Sequence, residues 1–354
     1  MWVDQPAGTG FSYSDLSGFD KHEKEVAEDM YHFLQAFFAK HTEFQGRPFF
    51  VFGESYGGHY APAVSHRVFV GNQDPSNIWI NLAGVAIGNG LTDPLIQYEY
   101  YSQLAYNYSM EKIGHPVISE STYELMVDAW PTCQSLIADC QNNTGTCMSA
   151  FLVCNVATII PYRMTGLNPY DITKECGPNP LCYNFSNIGL FLNNPRVQAA
   201  LGVNRTWLPC NPLVNLGFAI GGDWMKNYQM QIPDLLNNGT RVLIYAGDLD
   251  YMCVSLIVSG IFLGRMSSVC VIRASALVSC SSPLAAATGL ATGRGRWHWT
   301  GHTSRISTTP RCTTGRQAAC QLEKRALPTG SRSSVCLTPA TWSPRTNRRT
   351  PLPW

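Results

Sequence analysis

The sequence predicts an α/β class: a mostly parallel sheet flanked by helices, with a cysteine-rich cap inserted into it. Three observations predict it. The runs FFVFG (49–53), INLAGVAIGNG (80–90) and RVLIYAG (241–247) are short, apolar and closed by glycine, as buried strands are. Helical patterns lie between them, the order that builds a parallel sheet with helices on both faces. Between residues 92 and 210 the strand signal weakens, while cysteines, prolines and N-x-[ST] sequons accumulate.

The elements follow in order. Residues 22–40, HEKEVAEDMYHFLQAFFAK, put Val26, Met30, Phe33, Leu34 and Phe37 on one helical face. Arg47-Pro48 then precedes the first strand, and GESYGGHYAPAVSHRVF turns from that strand into a second helix. The predicted organisation is a sheet core over 1–92, the inserted cap over 93–210, a return to the core over 211–253, and a tail over 254–354.

Charge sets the last boundary. Residues 1–253 hold 12 Lys and Arg against 23 Asp and Glu, whereas 254–354 hold 13 basic residues against the single Glu323. The tail is rich in Arg, Ser, Thr and Pro and shows no sustained helical or strand period, so it is expected to be irregular. Its basic residues are not interleaved with stacking aromatics, which argues against nucleic acid as a partner. The abrupt switch reads as sequence never selected to fold, such as a retained intron or a shifted frame.

Eight of the thirteen cysteines precede residue 254. Cys133, Cys140, Cys147 and Cys154 recur at intervals of seven, and Cys176 and Cys182 follow. No CxxC occurs and no histidine stands at ligand spacing, so disulfides, nested or sequential, are expected rather than a metal. Sequons at Asn107, Asn142, Asn184, Asn204 and Asn238 agree with an oxidising compartment. Residues 1–20 carry neither a basic n-region nor an apolar h-region, and the expected start lies upstream. No apolar stretch is expected to reach membrane-spanning length; the run 254–263 stops short at Arg265.

Gly53-Glu54-Ser55-Tyr56-Gly57 matches G-x-S-x-G between a strand and a helix. That is the setting of a nucleophile elbow, whose sharp turn lifts a serine Oγ over the sheet edge in an α/β-hydrolase fold. Small residues on both sides let strand and helix approach, and the Tyr56 N–H would be one oxyanion donor. A serine needs a base, and the base an orienting carboxylate. Asp248 and Asp250 both follow the late strand RVLIYAG, and the residues alone leave either open.

The stretches WVDQPAGTGFSYSD, FGESYGGHYAPA, INLAGVAIGNGLTDP, LCYNFSNIGLFLNN and VLIYAGDLDYMC together resemble the serine carboxypeptidase family over residues 1–253. The resemblance implies an acyl-enzyme on Ser55 that releases C-terminal residues from peptides or proteins at acidic pH, with no cofactor. It selects Asp250 as the acid and implies that Glu54 binds the substrate's terminal carboxylate. It further implies the pairs Cys133–Cys154 around Cys140–Cys147, with Cys176–Cys182 separate. Cys253 matches a free cysteine near the active site, and Cys210 is expected to lack a partner. The family's first strands, with a glycine-rich segment supplying oxyanion donors, are expected upstream of Met1. Its catalytic histidine motif is not reproduced; His302, in TGHTSR, is the nearest substitute and lacks a flanking apolar strand. This chain is therefore expected not to carry a complete triad. A related acyltransferase and a non-catalytic protein on the same fold are the alternatives. The implied setting is the secretory pathway, ending in a lysosome, a vacuole or the extracellular space.

Overall fold

A computed structural model describes residues 1–253 and three strands beyond them, 269–274, 308–310 and 322–324. In chain order the first part runs α1 (Glu23–Lys40), β1 (Phe49–Glu54), α2 (Gly57–Gly71), β2 (Leu82–Gly88), α3 (Pro94–Gln103), α4 (Ser109–Ile113), α5 (Glu120–Cys140), α6 (Thr144–Cys154) and α7 (Ile160–Arg163). There follow β3 (Leu167–Asn168), β4 (Asp171–Glu175), α8 (Ser186–Leu192), α9 (Pro195–Leu201), α10 (Pro212–Gly221), α11 (Ile232–Asn237), β5 (Arg241–Gly247) and β6 (Val269–Ala274).

The main sheet has the order β1-β2-β5-β6, and every neighbouring pair is parallel. Glu54, Gly88 and Tyr245 share one row, so β1, β2 and β5 end together. Core packing explains why these runs are strands. Val85, Ile87, Val242, Ile244 and Ala246 join one hydrophobic cluster with Tyr98, Tyr101 and Leu104 of the helical segment and with Met126 and Ile137 of α5. A second cluster gathers Tyr31, Leu34 and Phe38 of α1 with Val64 and Val68 of α2.

Two expectations need correction. The buried stripe of α1 is Val26, Ala27, Tyr31, Leu34 and Phe38, while Phe33 is exposed. The stripe is set by packing on α2, where the Arg67 guanidinium lies 3.8 Å from the centre of the Tyr31 ring and pairs with Glu28 at 2.8 Å. Second, β6 lies in the segment expected to be irregular. Its VCVIRA run is short, but β5 offers it a full parallel register from Val242 to Gly247. The remaining strands, β7 (Thr308–Pro310) and β8 (Leu322–Lys324), form an antiparallel pair in a separate unit.

Three disulfides tie the helical segment: Cys133–Cys154 joins α5 to α6, Cys140–Cys147 closes the turn inside it, and Cys176–Cys182 closes a short loop after β4. Cys210 is exposed and Cys253 buried, and both are free thiols. The continuous helical run Thr144–Arg163 is long and apolar enough to cross a membrane by length and composition only. Two of its cysteines are disulfide-bonded, and Ala150, Ile159 and Tyr162 are buried in the cluster shared with the sheet.

Candidate active site

The site forms where β1, β2 and β5 end, at the carboxyl edge of the parallel sheet, the edge at which open α/β sheets bind ligands. Ser55 bridges β1 and α2 with φ at +59°, a left-handed conformation that costs a non-glycine residue about 1 kcal/mol or more. Hydrogen bonds hold it there. Its N–H donates to Gly88 O at 3.1 Å, and its carbonyl accepts from the N–H groups of Gly58 and Leu91, both at 3.0 Å. The Ser55 side chain is exposed, as is that of Glu54.

The glycines around it do unequal work. A Cβ on Gly53 would overlap the Gly57 carbonyl, and one on Gly58 would overlap the backbone of Leu91. Beside Gly57, the second glycine of the motif, there is open space. Gly53 and Gly58 thus permit the close approach, which corrects the expectation drawn from the motif. The Tyr56 N–H, at the start of α2, makes no hydrogen bond among the described residues. It is free to donate to an anion, with the helix dipole behind it.

Asp250 follows β5 and is buried. Its carboxylate accepts from Asn89 Nδ2 at 2.7 Å and from the Cys253 N–H at 3.0 Å. Burial pushes its pKa up to about 7, only partly opposed by those hydrogen bonds. Asp248 instead accepts from the Tyr108 hydroxyl at 3.4 Å. The two aspartates left open by the residues therefore have different surroundings, and Asp250 lies within electrostatic reach of Glu54. The Glu54 charge helps to raise Asp250, and both Asp250 and the Ser55 hydroxyl act on Cys253.

Cys253 is a second nucleophilic group in the same place. Burial and the Asp250 charge push its thiol well above the ordinary range, with the Ser55 hydroxyl offsetting part of the rise. A thiol held protonated is a poor nucleophile, so the exposed serine is the better-placed group.

Asn89 is the residue that the motifs did not single out. It has φ at +42°, a region that Asn tolerates better than most side chains. Its N–H donates to Tyr245 O at 2.9 Å, and its side-chain oxygen accepts from the Gly247 N–H at 3.3 Å. Its position between two glycines directly after a strand was the available signal.

The other assigned residues lie apart. The six disulfide cysteines belong to the helical segment and the loop after β4. Asn107, Asn142, Asn184, Asn204 and Asn238 are all exposed. Among the described residues no histidine hydrogen-bonds Ser55 or Asp250; His59, four residues from Ser55, is buried and donates from Nδ1 to Leu91 O. His302 and most of the tail lie outside the described residues.

Comparison with known proteins adds the following. The sequence profile of the serine carboxypeptidase family matches residues 1–262, past residue 253 where the motifs end. Serine carboxypeptidase 3 of Oryza sativa subsp. japonica is 43% identical over 257 residues, 72% of this chain and 49% of that protein. Serine carboxypeptidase-like 47 of Arabidopsis thaliana is 44% identical with the same coverage. Carboxypeptidase Y of Schizosaccharomyces pombe is 40% identical over 268 residues, 72% of this chain and 26% of that protein. The chain spans about half the length of the plant relatives. The crystal structure of a prohormone-processing carboxypeptidase from Saccharomyces cerevisiae superposes with a TM-score of 0.63 at 24% identity, over 74% of this chain and 59% of that one, a likeness of fold.

Proposed function

The chain belongs to the serine carboxypeptidase family, and from that premise we propose that the protein is a serine-type carboxypeptidase acting through Ser55. One observation carries the proposal: an exposed serine in a left-handed turn and a buried, doubly hydrogen-bonded Asp250 meet at one edge of a parallel sheet.

The Ser55 oxygen attacks the carbonyl of the last peptide bond; the base that takes its proton, a histidine that Asp250 would orient, is not among the described residues and is assigned to the full-length gene product. The Tyr56 N–H receives the developing oxyanion. Collapse breaks the C–N bond, the departing amino acid takes the proton back as an amine, and water hydrolyses the acyl-enzyme. Glu54 meets the substrate's terminal carboxylate. Two carboxyl groups share a hydrogen bond only when one is protonated, which favours acidic pH. Exposed sequons and disulfides support a secretory route with a lysosomal, vacuolar or extracellular end.

Hydrolysis of a blocked dipeptide at pH 5 by the full-length gene product tests the reading. Ser55→Ala is expected to lower kcat by ~10³-fold or more. Undiminished hydrolysis in that variant removes Ser55 as the nucleophile. Transfer of the acyl group to an added alcohol in preference to water would instead identify an acyltransferase.

A further inference from the structure

Behind the elbow lies a buried polar cluster that the reaction described above does not use. Asp223 has no exposed surface. Its carboxylate accepts three hydrogen bonds from three separate places: the Tyr56 hydroxyl at 2.8 Å, the Tyr228 hydroxyl at 2.6 Å and the Glu23 N–H, in the first turn of α1, at 3.0 Å. No salt bridge to it occurs among the described residues. An ionised carboxylate buried without a cation is costly, and an apolar group would pack such a space at less cost.

The Tyr56 ring is enclosed as well as tethered. His59 stacks on it at 4.8 Å, and Trp224 and Phe218 approach at 5.3 and 5.9 Å. Tyr228 packs on the other side of this group, 4.7 Å from His59. The circuit then returns to the nucleophile. A carbonyl can only accept, so His59 donates its Nδ1 proton to Leu91 O, and the Leu91 N–H donates to the carbonyl of Ser55.

We propose that Asp223 is a positioning residue for the elbow, fixing the Tyr56 ring so that the Tyr56 N–H keeps its direction beside Ser55. The inference rests on the reading of Ser55 as nucleophile and Tyr56 as oxyanion donor. Neighbouring groups suit the task. Glu23 is fully buried, neither of its carboxyl oxygens has a hydrogen-bond partner among the described residues, and burial with the Asp223 and Asp20 charges pushes its pKa up to about 10. At acidic and neutral pH Glu23 is therefore a neutral acid packed against Asp223. Burial also raises the Tyr56 and Tyr228 hydroxyls, which stay protonated as donors, and lowers His59.

The test is a double-mutant cycle of Asp223→Asn and Tyr56→Phe in the full chain, read by hydrogen–deuterium exchange of the peptide spanning 55–60 and by a urea midpoint. Asp223→Asn preserves shape, and Tyr56→Phe removes one hydroxyl, so a folded variant is available even if the first is unstable. Each single variant is expected to speed exchange at the elbow by about tenfold, with no further gain in the double variant. In the full-length gene product kcat falls by a similar factor while KM stays within about twofold, the pattern of a defect felt in the transition state. Elbow exchange unchanged in a folded Asp223→Asn or Tyr56→Phe variant, or strictly additive acceleration, overturns the proposal, whatever happens to the midpoint. Exchange does not depend on turnover. Hydrolysis that survives Ser55→Ala removes the nucleophile assignment, whereas a quiet elbow in Asp223→Asn removes this one.

Discussion

At Asp250 two opposing effects meet: burial favours the neutral acid, and the donors Asn89 Nδ2 and Cys253 N–H favour the carboxylate. Burial wins, because the folded pKa lies near 7 and not below 4. Asn89→Ala removes one donor and should move that pKa higher still. A pH titration of the Asp250 carboxyl, followed by infrared or NMR in parent and variant, would register the shift as a displaced titration profile. An unmoved profile would show that Asn89 does not act through Asp250. Ser55 was legible from its motif and Asp250 from the resemblance, since each stands in a diagnostic local string. Asn89 was not, because its role arises only when β2 and β5 become neighbours and bring it to Asp250, 161 residues away in sequence. Gly58 is the same kind of omission: its crowding against Leu91 depends on where the loop after β2 runs.

On the scale of elements, α1 carries an acidic load into the interior. Asp20 just ahead of it is raised to about 6 by burial and by the Asp29 and Glu25 charges, and Glu23 rises further. For each, the folded form binds its proton more tightly than the unfolded chain. The stabilising contribution is therefore complete below the ordinary carboxylate range and is lost as pH rises through the folded value. Asp250 has the same sign. Exposed Asp15 and Asp74 have the opposite sign, through hydrogen bonds from Ser17 and Ser76, and matter only below about pH 4. The urea midpoint should accordingly fall between pH 5 and pH 8, and Glu23→Gln should flatten that slope. A steeper or unchanged slope in the variant would refute the assignment of Glu23 as a neutral buried acid. The α5–α6 hairpin offers a separate check. Cys133–Cys154 closes a separation of 21 residues, and replacing both cysteines by alanine should cost about 3 kcal/mol in urea unfolding. Helix α1 was visible in the sequence as a periodic run, but its buried face was not fixed by the period alone. Tyr31 takes an inward position because Arg67 of α2 covers its ring.

Across the molecule, one aromatic and hydrogen-bonded path connects the two halves of the site through the helical segment. Tyr56 contacts Trp224, Trp224 Nε1 donates to the Tyr98 hydroxyl at 2.9 Å, Tyr98 packs edge-on against Tyr101, and the Tyr101 hydroxyl donates to Met252 O at 2.8 Å, two residues from Asp250. The segment between β2 and β5 therefore does more than cover the sheet. At the other edge of the sheet β1 presents Phe52, 70% exposed, and Phe50, 44% exposed, on a strand with no second neighbour among the described residues. The parallel class was readable because β1, β2 and β5 are apolar runs ending in glycine. Strand β6 was not, since its six residues sit in a segment whose charge and composition differ from the rest. The most direct measurement is peptide mapping by mass spectrometry of the full-length gene product after reaction with a fluorophosphonate, which bonds covalently to an activated serine oxygen. The adduct is expected on Ser55, absent in Ser55→Ala and formed at least tenfold more slowly in Asp250→Asn. An adduct on another residue, or labelling that persists in Ser55→Ala, would contradict the assignment of Ser55 as the nucleophile.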